Sequence, residues 1–302
     1  MTSAIMIVPR VTVGIPVFNG DPFLRKSIES VINQSYQDIE IIISDNCSTD
    51  KTRSICLEYA ARDNRIRYIQ QSKNYGSINN FVALISEARG KYFMWAGADD
   101  FFDENWIASL LEICEKNNSL AFGVVQYIDE FDVRINSTAN RREFNYKGPT
   151  WWRLLCFVFT PWLFGKMILC WGLFPRELLL EMTKKTFIPK WSGCIDSIWV
   201  YSVLSKCRIN SIPSVFLYKR VHQNSESSTL EPKVQHNSIS RISGFMRAVL
   251  KVNMLPSFLA SSPFSIKLLL LLSIPLFYPV YVIRSIGILI LYKWHKKKHR
   301  LF

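Results

Sequence analysis

Residues 11–46 read VTVGIPVFNGDPFLRKSIESVINQSYQDIEIIISDN, and their pattern decides the fold class. The stretch opens on a β-branched, apolar run at 11–17 and closes on 40–44, where Ile41-Ile42-Ile43 is apolar without alternation. Unbroken runs of that length suit strands buried on both faces of a parallel sheet. Between them, Asp21-Pro22 reads as an N-cap followed by proline at the first helical position. Leu24, Ile28, Val31 and Ile32 then recur at helical spacing on a single face. Strand, helix, strand in this order predicts a βαβ unit.

The alternation continues in both chemistry and spacing. Asp50 is placed to cap a helix running to 61, and 66–70 reads as a short strand. A helix is predicted over 78–88, ended by Gly90, followed by a strand at 91–95. Asp103 is placed to cap a helix over 106–116, and 121–129 reads as a further strand. Beyond it a looser α/β pattern is predicted: strand 171–174, helix 176–183, helix 196–205, strand 215–218, then a polar, serine-rich loop at 224–229. The fold class is α/β, a Rossmann-like, mostly parallel sheet flanked by helices.

The chain has 302 residues, 49% of them hydrophobic and 20% charged, enough for a sizeable core and too apolar for disorder. Seven cysteines without a Cys-x-x-Cys pair argue against a disulfide framework or a zinc module and point to a reducing compartment. No secretory signal is visible, because the apolar start at 4–8 is too short. The net charge of +13 is unevenly placed: residues 1–110 carry 11 basic and 13 acidic side chains, whereas 232–302 carry 11 basic and none acidic. That tail interleaves its cations with aliphatic rather than stacking residues, which disfavours nucleic acid as a partner.

The C-terminal segment is hydrophobic and is expected to be helical. Residues 268–283 hold no charge, yet 16 residues fall short of the about 20 a spanning helix needs. Pro275 and Pro279 would break the run, and extending it to Tyr292 encloses Arg284. An in-plane or re-entrant hairpin on the cytoplasmic face of the membrane, its basic end at 293–300 on anionic lipid, is the favoured reading. Two core helices of a soluble domain are the alternative. Residues 151–174 form a second anomaly, eight aromatics in 24 positions. They suit a buried core, a sugar-stacking acceptor site or a membrane interface.

In open α/β sheets ligands collect at the carboxyl ends of the strands. Four segments fall there by the pattern above: 16–20, 45–48, Asp99-Asp100 and Asp129. Adjacent carboxylates repel unless a cation lies between them, so Asp99-Asp100 is a candidate Mg²⁺ or Mn²⁺ site.

In order and spacing, VGIPVFNG, SIESVINQSYQDIEIIISDNCSTDKT and GSINNFVALISEARGKYFMWAGADD resemble the inverting nucleotide-sugar glycosyltransferases of family 2, which have the GT-A fold. The likeness returns in GLFPRELL, GCIDSIWVYSVLSK and VFLYKRVHQNSES, and covers roughly 11–228. The resemblance implies a GT-A domain over 1–230, with a nucleotide-binding half at 1–116 and an acceptor half at 117–230. A basic, membrane-associated helical segment would follow at 231–302.

Carried over residue by residue, Pro16, Asn19, Asp45, Asn46, Asn80 and Asp99 would meet the nucleotide. Asn46 stands where the family most often has aspartate. Asp100 would be the direct metal ligand and Asp99 would lie nearer the ribose. Asp196 falls where the family places its catalytic base, with Ile195 replacing a common glutamate. His222 would complete the metal or phosphate site, or else be an ordinary hydrogen-bonded loop residue. Lys219 and Arg220 would add positive charge near the diphosphate, a solvated strand end being the alternative, favoured for Lys219.

The implied reaction is a single displacement. A sugar moves from a UDP-, dTDP-, GDP- or CDP-sugar to a hydroxyl of a lipid-linked glycan, as in bacterial surface polysaccharide or O-antigen synthesis. A sugar-nucleotide nucleotidyltransferase is the runner-up, disfavoured because PVFNGD holds one glycine and no basic residue before Arg25. A non-catalytic, membrane-tethered scaffold would need none of Asp99, Asp100 and Asp196.

Overall fold

The computed structural model describes residues 8–117, 119–160, 164–185 and 195–223, with short pieces at 267–268 and 271–272. Two sheets organise them. The larger has strand order β3-β2-β1-β4-β7. β1 (Val11–Val17), β2 (Ile39–Asp45), β3 (Ile66–Gln70) and β4 (Tyr92–Trp95) all run parallel, and only β7 (Phe174–Pro175) is antiparallel, against β4. The triple isoleucine of β2 is fully buried, as its unbroken apolar run requires. Helices α1 (Asp21–Ile32), α2 (Thr52–Arg62) and α3 (Ser77–Glu87) make the crossovers.

The second sheet has order β5-β8-β6, from β5 (Phe101–Phe102), β6 (Leu120–Ile128) and β8 (Ile209–Arg220). The strand expected at 121–129 thus leaves the main sheet, and the one expected at 215–218 extends back to Ile209. Before β6 lies α4 (Trp106–Asn117); after it come α5 (Thr150–Phe159), a 3₁₀ segment at Lys166–Trp171, α6 (Arg176–Lys185) and α7 (Ile195–Leu204). The expected strand at 171–174 is therefore mostly 3₁₀ turn, with pairing left only to Phe174 and Pro175. The core runs through Trp95 and Trp199, stacked at 4.9 Å, with Phe174 set edge-on to Trp95.

The helix starts differ from the sequence pattern in an instructive way. Gly20, not Asp21, is the N-cap of α1. Asp50 serves two helices at once: Oδ2 accepts from Asp21 N at 3.0 Å and Oδ1 from Thr52 N at 3.0 Å. Asp103 does not cap α4 with its side chain. Its Oδ2 accepts from Phe216 N at 2.7 Å in β8, and only its carbonyl reaches Trp106 N. At Asp103 a donor from a distant strand displaces the local one, which sequence spacing does not register.

Among the described residues no helix is long and apolar enough to cross a membrane. The expected hydrophobic segment at 268–283, the basic end at 293–300 and the loop at 224–229 lie outside them, apart from 268, 271 and 272.

Candidate active site

The register of the main sheet brings Val17 beside Asp45, Asp45 beside Gln70 and Gly14 beside Trp95. The loops after β1, β2, β3 and β4 therefore leave the same edge, the carboxyl edge at which α/β sheets bind ligands.

The first two loops are laced together by Asn19, whose φ of +53° is tolerated because asparagine is the side chain best suited to that region. Its Oδ1 accepts from Thr49 N at 2.9 Å, and its own amide donates to Ser48 Oγ at 2.9 Å. Pro16 lies within β1, opposite Ser44. Asp45 is fully buried, with Oδ1 accepting from Ser48 N and Oδ2 from Tyr68 OH, both at 2.8 Å. Asn46 is buried too: its amide group donates to Asn74 Oδ1 and its oxygen accepts from Tyr75 N, each at 2.9 Å. An aspartate could not make the first of these bonds, so the departure at position 46 has a local use. Asn80 faces the sheet, donating to Ser44 O at 2.9 Å and accepting from Ser44 Oγ at 2.5 Å.

These residues shape the loops from within, and the surface they present is aromatic. Phe18 and Tyr75 are the exposed large side chains of the rim, at 48% and 44%. Phe18 falls within the strand-end segment 16–20 and Tyr75 outside all four, and the pattern singles out neither ring; the signal is an aromatic directly beside each of Asn19 and Asn74.

The turn after β4 carries the aspartate pair. Ser27 Oγ donates to Gly97 O at 2.6 Å, fixing the turn to α1. A Cβ on Gly97 would stand 2.6 Å from Asp100 Oδ2, so the carboxylate occupies the space glycine leaves. Asp100 is enclosed: Oδ2 accepts from Lys219 Nζ at 3.0 Å and Oδ1 from Arg220 N at 2.9 Å. Asp99 is the more open of the two, its side chain 31% exposed, with Oδ2 3.2 Å from His222 Nε2. Asp100, the residue expected to meet a cation directly, thus has one hydrogen bond from Lys219 or Arg220 on each oxygen, while Asp99 is the more exposed of the pair.

Burial pushes Asp100 up to about 6 against the pull of Lys219. Burial also raises Asp99, but the His222 hydrogen bond and the Lys219 charge outweigh it and hold that carboxyl below its ordinary range. Burial would lower Lys219, and the two aspartates raise it above its usual value instead. With Asp100 still near 6 and Lys219 raised, the pair carries opposite charges at neutral pH.

Lys219 is no solvated strand end. Its side chain is 16% exposed, and Nζ lies 5.0 Å from the centre of the Trp171 ring. Arg220 is consumed as a rivet. Its Nε donates to Asp99 O and Nη1 to Asp129 O, both at 3.0 Å, and Nη2 pairs with Asp132 at 2.7 Å. Both guanidinium ends are spent on protein, so the charge near the turn comes from Lys219.

Asp196 lies in the first turn of α7, where the helix dipole favours an anion, and its Oδ1 accepts from Ser197 N at 2.7 Å. Cys170, buried in the 3₁₀ segment Lys166–Trp171, feels the Asp196 charge. That thiol is pushed well up, by burial first, then by Asp196, with Asp100 adding and Lys219 opposing. Asp196, Lys219 and Asp100 therefore act on one buried group, and the 3₁₀ segment Lys166–Trp171 places it. Of the aromatic band, Phe157 and Phe174 are core, Trp171 covers Lys219, and Trp151 and Trp152 are exposed.

Among the described residues no three His, Cys, Asp or Glu side chains converge into a ready-made cation cage. Mg²⁺ is commonly held by one or two carboxylates with substrate phosphates and water completing the shell. Asp99, half open beside His222, fits that mode.

Comparison with known proteins agrees with this arrangement. The profile described as glycosyl transferase family 2 matches residues 12–174, from the first strand through the aspartate pair to Phe174. Glycosyltransferase GlyG of Streptococcus pneumoniae is 33% identical over 123 residues, 40% of this chain and 41% of that protein. The uncharacterized glycosyltransferase EpsJ of Bacillus subtilis is 33% identical over 128 residues, 42% of this chain and 37% of that one. The chain thus matches about two-fifths of the length of these relatives. Structures of S. aureus TarS 1–349 with UDP and with UDP-GlcNAc superpose with TM-scores of 0.57 and 0.58 at 15% identity, over 85% of this chain and 82% of TarS 1–349. That likeness is one of fold. With strand-end loops, aspartate turn and parallel sheet all inside the matched region, this chain belongs to glycosyl transferase family 2.

Proposed function

We propose that the chain transfers a sugar from a nucleotide-diphosphate donor to a hydroxyl of a lipid-linked glycan, with inversion at the anomeric carbon. The setting is surface polysaccharide assembly of the O-antigen type at the cytoplasmic face of the membrane. One observation carries the reading: the Asp99–Asp100 turn after β4 is met by Lys219 at 3.0 Å and by His222 at 3.2 Å, a charged cluster beside the strand-end loops. The UDP and UDP-GlcNAc in the TarS structures support a nucleotide-sugar donor.

In this reading Phe18 and Tyr75 flank the nucleobase, since planar exposed rings stack on base faces. Asp45, Asn46 and Asn80 hold the loops that present them, and Pro16 and Asn19 set the loop the nucleotide lies against. Asp99 and His222 would hold a metal ion beside the diphosphate, while Asp100 fixes Lys219 next to them. Mg²⁺ or Mn²⁺ bound there would neutralise charge on the departing nucleoside diphosphate. Lys219 adds a fixed cation to the same end. The Asp196 carboxylate takes the proton of the acceptor hydroxyl as that oxygen attacks, so inversion follows from a single displacement.

The transferase domain is assigned to 1–230 and the membrane-associated segment to 231–302. The deciding experiment is a calorimetric and hydrolysis screen of UDP-, dTDP-, GDP- and CDP-sugars with Mg²⁺ or Mn²⁺. One nucleotide class should bind and be slowly hydrolysed. If no nucleotide binds, the reading fails. Deleting 263–302 should release the protein from membranes, and persistent binding would move the anchor elsewhere.

A further inference from the structure

Arg153, buried in α5, fastens that helix to the end of α7. Its Nε and Nη2 donate to Leu204 O at 3.2 and 3.0 Å, and its Nη1 to Gly148 O at 2.7 Å. An antiparallel bridge joins Tyr146 to Ile209, which sets Lys147 beside Arg208. On this fixed frame Trp151 and Trp152 are each 47% exposed and meet edge to face, their ring centres 5.7 Å apart. Lys147, Lys206 and Arg208 are exposed on the two segments so joined, the Trp152 ring lies against Gly148 next to Lys147, and Glu143 is the exposed carboxylate on the approaching chain. The helix begins after Pro149 with no side chain capping it, so its first-turn N–H groups add positive character close in sequence to Lys147.

Two half-exposed indoles among cations are costly in water and favourable at one kind of boundary. Tryptophan settles at the headgroup level of a bilayer, and basic side chains beside it are attracted to anionic lipid. A glycan would satisfy the rings but leave three cations with nothing to neutralise. We infer that Lys147, Trp151, Trp152, Lys206 and Arg208 form a docking face for an anionic lipid bilayer, within the folded domain and distinct in sequence from the basic segment at 231–302. The inference shares the membrane setting of the proposed function but not its residues.

The test uses the full chain with vesicles of phosphatidylcholine alone or mixed with phosphatidylglycerol. Amide exchange over 147–153 should slow with the anionic vesicles and not with the neutral ones. Trp151→Ser with Trp152→Ser should weaken partitioning, and each of Lys147→Gln, Lys206→Gln and Arg208→Gln should weaken it by about fivefold, with unchanged thermal melts. If the chain binds vesicles while 147–153 stays unprotected and these variants partition like the parent, the inference falls and the tail alone anchors the protein. Protection by a soluble glycan without vesicles would also overturn it. If the full chain binds no vesicle, both this face and the membrane setting fail.

Discussion

Lys219 Nζ donates to Asp100 Oδ2 at 3.0 Å, a strand-borne cation closing on a carboxylate that is wholly enclosed. Removing one partner of a buried ion pair leaves the other uncompensated. Lys219→Met should therefore destabilise the fold by about 3–5 kcal/mol, read as a drop in the thermal midpoint. Adding Asp100→Asn to it should recover part of the loss. A single-variant loss below about 1 kcal/mol would mean the pair behaves as an exposed one.

Asp196→Asn should abolish transfer while leaving metal-dependent nucleotide binding within about twofold of the parent, since a positioned base contributes to the chemical step rather than to donor affinity. Calorimetry and a transfer assay on the same preparation separate the two. Retained turnover would remove Asp196 from the role of base.

Gly97→Ala places a methyl group where Asp100 Oδ2 now lies, at 2.6 Å. The turn must open, at about 1–3 kcal/mol, and the aspartate pair shifts from Lys219. Nucleotide affinity should fall with stability. A variant that melts and binds like the parent would show that the turn tolerates the shift.

Asp63 and Arg65 bridge the end of α2 and the start of β3. The carboxylate meets Arg65 Nη2 at 2.6 Å and accepts from Arg65 N at 2.9 Å. The Arg65 hydrogen bond holds Asp63 below its ordinary 3.8 despite partial burial. A depressed carboxyl stabilises the fold above its unfolded-state value, and that contribution fades as pH falls through the folded-state value. Asp63→Asn should thus cost about 1 kcal/mol at pH 7, with the gap from the parent closing below pH 3.8. Equal gaps at pH 7 and pH 3 would exclude the linkage.

The parallel sheet was legible because its information is local. The run Ile41-Ile42-Ile43 and the helical spacing of Leu24, Ile28 and Val31 state their own burial. The same holds for the aspartate turn. What escaped depends on partners far along the chain. Asp103 sits where a helix cap belongs, yet Phe216 N claims its carboxylate from β8. Lys219 reads as a solvated strand end until Asp100 is seen beside it. Which of Asp99 and Asp100 is the enclosed one is set in the same way, since adjacent aspartates look alike in sequence and β8 distinguishes them. Phe18 and Tyr75 escaped because an exposed aromatic and a core aromatic are written with the same letter.

β8 pairs antiparallel with β5, which directly follows the aspartate turn, and it delivers Lys219, Arg220 and His222 to a turn some 120 residues earlier. During synthesis the N-terminal parallel strands can pair early, and the turn then holds two carboxylates with no counter-charge. The ionic part of the site is completed only when β8 emerges. A truncated or stalled chain ending before β8 would keep the sheet's signature yet lack the cation beside Asp100, so donor affinity is a sensitive gauge of whether translation and folding have run to the end of this domain.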